Sequence, residues 1–142
     1  MKFELAKVRT AVVFGAGHGI GAALAEELLE KNPYIKIFAT FFNAQKNQPL
    51  LSLKEKFLDR LFIFQVNPCV ETEIVDFQKR MADEVNQIEF LINSIGFLSD
   101  QNTSPEKSLR DASFENLERY FKINSSPHLM IAKHFHLSLI HI

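Results

Sequence analysis

Four glycines, Gly15, Gly17, Gly19 and Gly21, stand between the apolar run Val12-Val13-Phe14 and a helical pattern carried by Ile20, Ala23, Leu24 and Leu28. The apolar run suits a buried parallel strand, so the glycines mark a strand-to-helix turn. At such a turn a missing Cβ lets the backbone bend sharply and approach a phosphate, while the free N–H groups of the helix start face an anion. Two spacings are present. Gly17, Gly19 and Ala22 satisfy G-x-G-x-x-G/A, and Gly15, Gly19 and Gly21 give G-x-x-x-G-x-G. Either reads as a dinucleotide diphosphate site, with a turn that merely packs helix on sheet as the alternative. A nucleoside triphosphate loop is disfavoured, because no Gly-Lys-Ser/Thr follows.

Strands are expected near Val8–Phe14, Ile35–Phe41, Leu61–Val66 and Phe90–Asn93. Between them, Leu50, Leu53, Phe57 and Leu58 mark a short second helix, and Ile74, Phe77, Met81 and Val85 a third. A fourth is expected to start at Ser113 as N-cap and run through Phe114, Leu117, Phe121 and Leu129 toward Phe135, bent at Pro127. Strands alternating with helices imply right-handed crossovers and a parallel sheet. The expected architecture is an α/β, Rossmann-type doubly wound sheet of order 3-2-1-4 with helices on both faces, its ligand crevice between strands one and four. The segment Gln101 to Lys107 reads as a loop on the ligand side, for substrate contact or simple connection.

The 142 residues, 46% of them hydrophobic, are enough for one domain with a real core. A net charge of -1, from 16 basic and 17 acidic residues, gives no electrostatic case for nucleic acid or an anionic membrane. The single cysteine, Cys69, excludes an internal disulfide, and no apolar run approaches a membrane span. A cytoplasmic protein acting on a small molecule is expected. His128, His134, His136 and His141 cluster late in the chain, but His134 and His136 lie two apart on a helix and point nearly oppositely, so no metal site is expected.

An acid about 20 residues beyond the glycines would hold the ribose of NAD. Here strand two ends Ala39-Thr40-Phe41-Phe42-Asn43, without acid or arginine, and Lys46 is the nearest cation in sequence. With His18 in the glycine loop, Lys46 favours the 2′-phosphate of NADP over NAD. Asn67 after strand three either accepts a hydrogen bond from an adenine amino group or makes a turn with Pro68. In Asn93-Ser94-Ile95-Gly96, Asn93 is read as tying neighbouring strands and Gly96 as admitting the cofactor.

The GAGHGIG turn, the NSIG after strand four and the KINSSP of helix four resemble the short-chain dehydrogenase/reductase family in order and spacing. SPEKSLRD, FENLERYFKIN and IAKHFH resemble its C-factor-like branch. Ser94 and Ile95 depart from the usual NNAG, Asn67 replaces a usual aspartate, and Phe42 stands where related branches carry an arginine. The resemblance implies an NAD(P)-dependent oxidoreductase that moves a hydride between a nicotinamide and a carbonyl or alcohol substrate. Asn124 would be the catalytic asparagine that helps hold a relay water. The cofactor would rest on Gly15, Gly17, His18, Gly19, Ile20 and Gly21, on Phe42, Asn43, Asn67 and Pro68, and on Asn93, Ile95 and Gly96. Assembly into a homo-oligomer is a further expectation.

The family's general acid is a tyrosine in Tyr-x-x-x-Lys, yet Tyr34 is followed four residues on by Phe38, and Tyr120 by Asn124. Residues 1–136 are therefore read as the N-terminal part of a cofactor-binding domain. Residues 137–142 are read as a non-native or frayed tail resembling adapter read-through. The chain would then be an inactive gene fragment with an exposed sheet edge; the alternative is a non-catalytic NAD(P) sensor.

Overall fold

A computed structural model describes residues 4–99, 110, 112–136 and 138. Its centre is β1 (Thr10–Phe14), whose residues are all buried. β1 pairs in parallel with β2 (Lys36–Phe41) on one side and with β4 (Phe90–Asn93) on the other, and β3 (Leu61–Gln65) lies outside β2. The order is β3-β2-β1-β4, as the pattern of apolar runs and turns predicts.

Alternation along the strands builds a core on each face. Ala11 and Val13 pack beneath α1 (Gly19–Lys31) and α2 (Gln48–Lys56), with Ala25, Leu28, Leu29, Leu50 and Leu53. Val12 and Phe14 face the other way, toward α3 (Glu71–Ala82) and α5 (Ser126–Phe135). There Phe14 meets Phe77 and Phe135 edge-on, with centroids at 5.4 and 5.5 Å. Small residues on the first face let α1 sit close to the sheet, which sets the glycine turn against the strand ends.

The structure corrects several boundaries. β1 begins at Thr10, two residues after the expected start, where the Arg9 and Thr10 N–H groups turn to the Glu89 carboxylate. β2 and β3 are each one residue shorter than expected, although Ile35 and Val66 stay buried. α2 stops at Lys56; Phe57 closes it by donating its N–H to the Leu53 carbonyl, and Leu58 is exposed.

The fourth helix is broken, not bent. α4 (Phe114–Asn124) ends where the Ser125 N–H bonds the Phe121 carbonyl, and α5 starts at Ser126. Pro127 lacks an N–H, so it sits without loss in the first turn of a new helix but cannot continue an old one. The expected cap is present, Ser113 Oγ accepting from the Asn116 N–H at 3.2 Å. Phe42, Phe114 and Phe121 are exposed. The last two lie on α4, none of whose residues is fully buried. Residues 101–107 lie outside the described residues. No described helix is long and apolar enough to cross a membrane.

Candidate functional site

The carboxyl ends of β1, β2 and β4 converge on the turn at Gly15 to Gly21. Three neighbours hold that turn. The Thr40 carbonyl accepts from the Ala16 N–H at 2.7 Å, and Thr40 Oγ1 from the Gly15 N–H at 3.3 Å. On the β4 side, Ser94 Oγ donates to the Phe14 carbonyl at 2.7 Å, with the Gly15 carbonyl at 3.1 Å. The tie between neighbouring strand ends, expected of Asn93, is thus made by Ser94.

Each glycine has its own reason. Gly15 and Gly19 adopt φ of +77° and +61°, a backbone that disfavours any side chain. A Cβ at Gly15 would also come within 3.0 Å of the Ile95 nitrogen, and one at Gly21 would collide with Ser94 Oγ and the Gly15 carbonyl. Gly17 has ordinary φ and lies against the Phe41 side chain, where a Cβ would approach Phe41 Cβ at 3.1 Å. The spacing that carries the turn is therefore G-x-x-x-G-x-G.

α1 begins at Gly19 with His18 as N-cap, and the His18 side chain makes no capping bond. No acidic residue stands in the first turn. The positive end of the helix dipole is left for an external anion, since the first-turn N–H groups have no intrahelical acceptor. Beside it Ile20 is 81% exposed, an apolar surface offered at the mouth of the crevice. These features fit the diphosphate of a dinucleotide.

Toward β2, Phe42 is exposed, and Asn43 Oδ1 caps the following turn by accepting from the Gln45 N–H at 2.8 Å. That turn, Ala44–Lys46, runs beside Gly17: a Cβ on Gly17 would lie 3.6 Å from the Lys46 carbonyl oxygen. The backbone of exposed Lys46 thus stands next to the glycine loop.

After β3, Asn67 Oδ1 accepts from the Cys69 N–H at 3.0 Å, so Asn67 and Pro68 form a turn. An amide oxygen has a second lone pair, which leaves room for a further donor. Burial pushes the Cys69 thiol up, against a smaller pull from Lys122.

At the end of β4, Asn93 Oδ1 accepts from the Ile95 N–H at 3.0 Å and Asn93 Nδ2 lies 2.8 Å from His128 Nδ1 of α5. A Cβ on Gly96 would meet nothing within 4 Å, so the protein's own packing leaves that place open. Asn124, at the end of α4, grips the Phe97 backbone twice, accepting from its N–H at 2.7 Å and donating to its carbonyl at 2.9 Å. This clamp fixes the chain leaving β4 beside the crevice. Sequence reasoning missed Thr40, Ser94 and His128; a lone hydroxyl closing each of two apolar strands was the available signal for the first two. His134 meets Glu71, and no group of three metal-ligating side chains occurs among the described residues.

Comparison with known proteins follows the same lines. A family model described as short chain dehydrogenase matches residues 9–141. No curated protein sequence matches the chain. Among solved structures, the chain is similar to NADPH-bound carbonyl reductase from chicken fatty liver, with TM-score 0.81 and 22% identity over 92% of this chain and 48% of that one. A short-chain dehydrogenase/reductase from Saccharomyces cerevisiae superposes with TM-score 0.79 and 17% identity, over 92% of this chain and 48% of that one. A blue fluorescent protein from a metagenomic library, in complex with NADPH, gives TM-score 0.76 and 18% identity over 92% and 51%. The chain spans about half the length of these structures.

Proposed function

Because the chain belongs to the short-chain dehydrogenase family, we propose that it is the cofactor-binding part of an NAD(P)-dependent oxidoreductase whose substrate is a small carbonyl or alcohol compound. The observation that carries this reading is the glycine turn, with its two left-handed glycines opening onto an uncapped helix start at the meeting of β1, β2 and β4. When bound, the nicotinamide supplies or accepts the hydride.

The chain's own residues supply binding and orientation. The α1 amides and Gly15 to Gly21 take the diphosphate; Ile20 and Gly96 border the crevice; Asn67 and Pro68 frame the adenine end. Lys46 and His18 favour NADP, in keeping with the NADPH carried by two of the similar structures. Asn124 holds the Phe97 segment in place and is the residue matching the family's catalytic asparagine. We further propose kinship with the C-factor-like branch, on SPEKSLRD, FENLERYFKIN and IAKHFH.

No tyrosine in the chain is followed four residues on by lysine, so the 142-residue chain is expected to bind cofactor without turnover. That same observation favours a second reading, a non-catalytic NAD(P) sensor. Calorimetric titration with NADP⁺ and NAD⁺, alongside an assay of NADPH-dependent carbonyl reduction, tests both readings. Binding of NADP⁺ tighter than NAD⁺ without reduction is expected. Failure to bind either nucleotide overturns the cofactor assignment, and turnover overturns the predicted inactivity.

A further inference from the structure

The contact between Asn93 and His128 has only one consistent arrangement of hydrogens. Asn93 Oδ1 receives the Ile95 backbone N–H at 3.0 Å, which fixes the way the amide faces, because the reversed amide would set N–H against N–H. Asn93 Nδ2 therefore points its hydrogens at His128 Nδ1, 2.8 Å away. That ring nitrogen must offer a lone pair. The imidazole is then neutral, with its proton on Nε2.

We propose that His128 is a positioning residue: as a neutral imidazole it holds the Asn93 turn beside the cofactor crevice, and its protonation releases that turn. This rests on the cofactor reading above only for its functional consequence. The His128 backbone is anchored independently, its N–H on the Ser125 carbonyl at 3.2 Å in the first turn of α5, directly after buried Pro127. On the other side, the turn abuts the glycine loop, since the Ile95 nitrogen lies 3.0 Å from where a Gly15 Cβ would stand. A shift at Ile95 is thereby a shift against the backbone that receives the diphosphate.

Several charged groups on the neighbouring elements have partners of their own. Glu71 of α3 meets Lys133 and His134, Glu73 takes the Asn67 N–H, and Arg119 of α4 lies over the Phe97 ring. Neither the Glu71 nor the Glu73 carboxylate forms an ion pair with His128 among the described residues. A proton on His128 Nδ1 would take away the acceptor of the Asn93 bond and leave the turn without its brace.

The test uses the whole chain, His128→Gln, which keeps an acceptor that does not titrate, and His128→Phe, which has none. Two-dimensional ¹⁵N–¹H spectra without cofactor should show the Nε2–H tautomer for His128 at about pH 8, and an Ile95 amide signal that moves on acidification in the parent but not in His128→Gln. NADP⁺ affinity should weaken about two- to tenfold more in the parent than in His128→Gln between about pH 8 and 5.5. His128→Phe should be weak at both pH values. The Nδ1–H tautomer, or an Ile95 signal that moves alike in parent and His128→Gln, overturns the proposal. Absence of all NADP⁺ binding overturns the cofactor reading instead, and the spectra still decide the role of His128.

Discussion

Gly15, Gly19 and Gly21 look alike in sequence yet answer to different constraints, and alanine at each should separate them. Gly19→Ala meets open space and suffers only the left-handed backbone, about 1–2 kcal/mol. Gly15→Ala adds a 3.0 Å approach to the Ile95 nitrogen, a backbone atom with little room to yield. Gly21→Ala keeps helical backbone but drives a methyl group into Ser94 Oγ and the Gly15 carbonyl, an overpacking of about 1–3 kcal/mol or more. Urea unfolding should therefore find Gly19→Ala the mildest of the three. Equal losses at all three positions would show that backbone conformation alone sets the requirement. The glycines themselves were legible because their signal is local; Thr40 and Ser94 were not, because their partners are backbone atoms 25 to 80 residues away in sequence.

Elements meet the site through their ends. α3 begins with Glu71, whose carboxylate binds Lys133 Nζ and His134 Nε2 of α5, both at 2.7 Å. The Lys133 bond first, then His134, holds the Glu71 carboxyl below its ordinary 4.5. A depressed carboxylate contributes stability that is present above the unfolded value and lost as pH falls through the folded one. Glu71→Gln should therefore lower the melting temperature near neutral pH slightly, and the gap to the parent should close on acidification below about 4.5. A gap that persists unchanged in acid would assign the effect to helix packing instead. The break between α4 and α5 belongs to this scale too. Pro127 announced an interruption, but whether the helix bends or restarts depended on the Ser125 N–H closing one helix and on what packs beneath the next, namely Ile131 and Phe135 in the core.

For the molecule as a whole, α4 is a helix without a fully buried residue among those described. Phe114 and Phe121 are 87% and 66% exposed, with Leu117 on the same helix. Such a patch favours self-association. Sedimentation velocity of the whole chain should show concentration-dependent association, and Phe121→Glu should reduce it without lowering the melting temperature by more than a few degrees, since an exposed side chain supports little of the core. Association unchanged in Phe121→Glu would place the contact elsewhere. The strand order, the two-faced core and the anion-ready turn follow from the sequence by itself, because hydrophobic period and glycine placement are local signals and alternating strands and helices joined by right-handed crossovers leave few sheet arrangements. Only the tertiary structure decided that Ser94 ties the strand ends, that Asn124 grips Phe97 and that His128 receives Asn93. Those pairings depend on which distant segments the packed sheet sets side by side, and a polar side chain takes whichever backbone or ring atom then lies within about 3 Å of it.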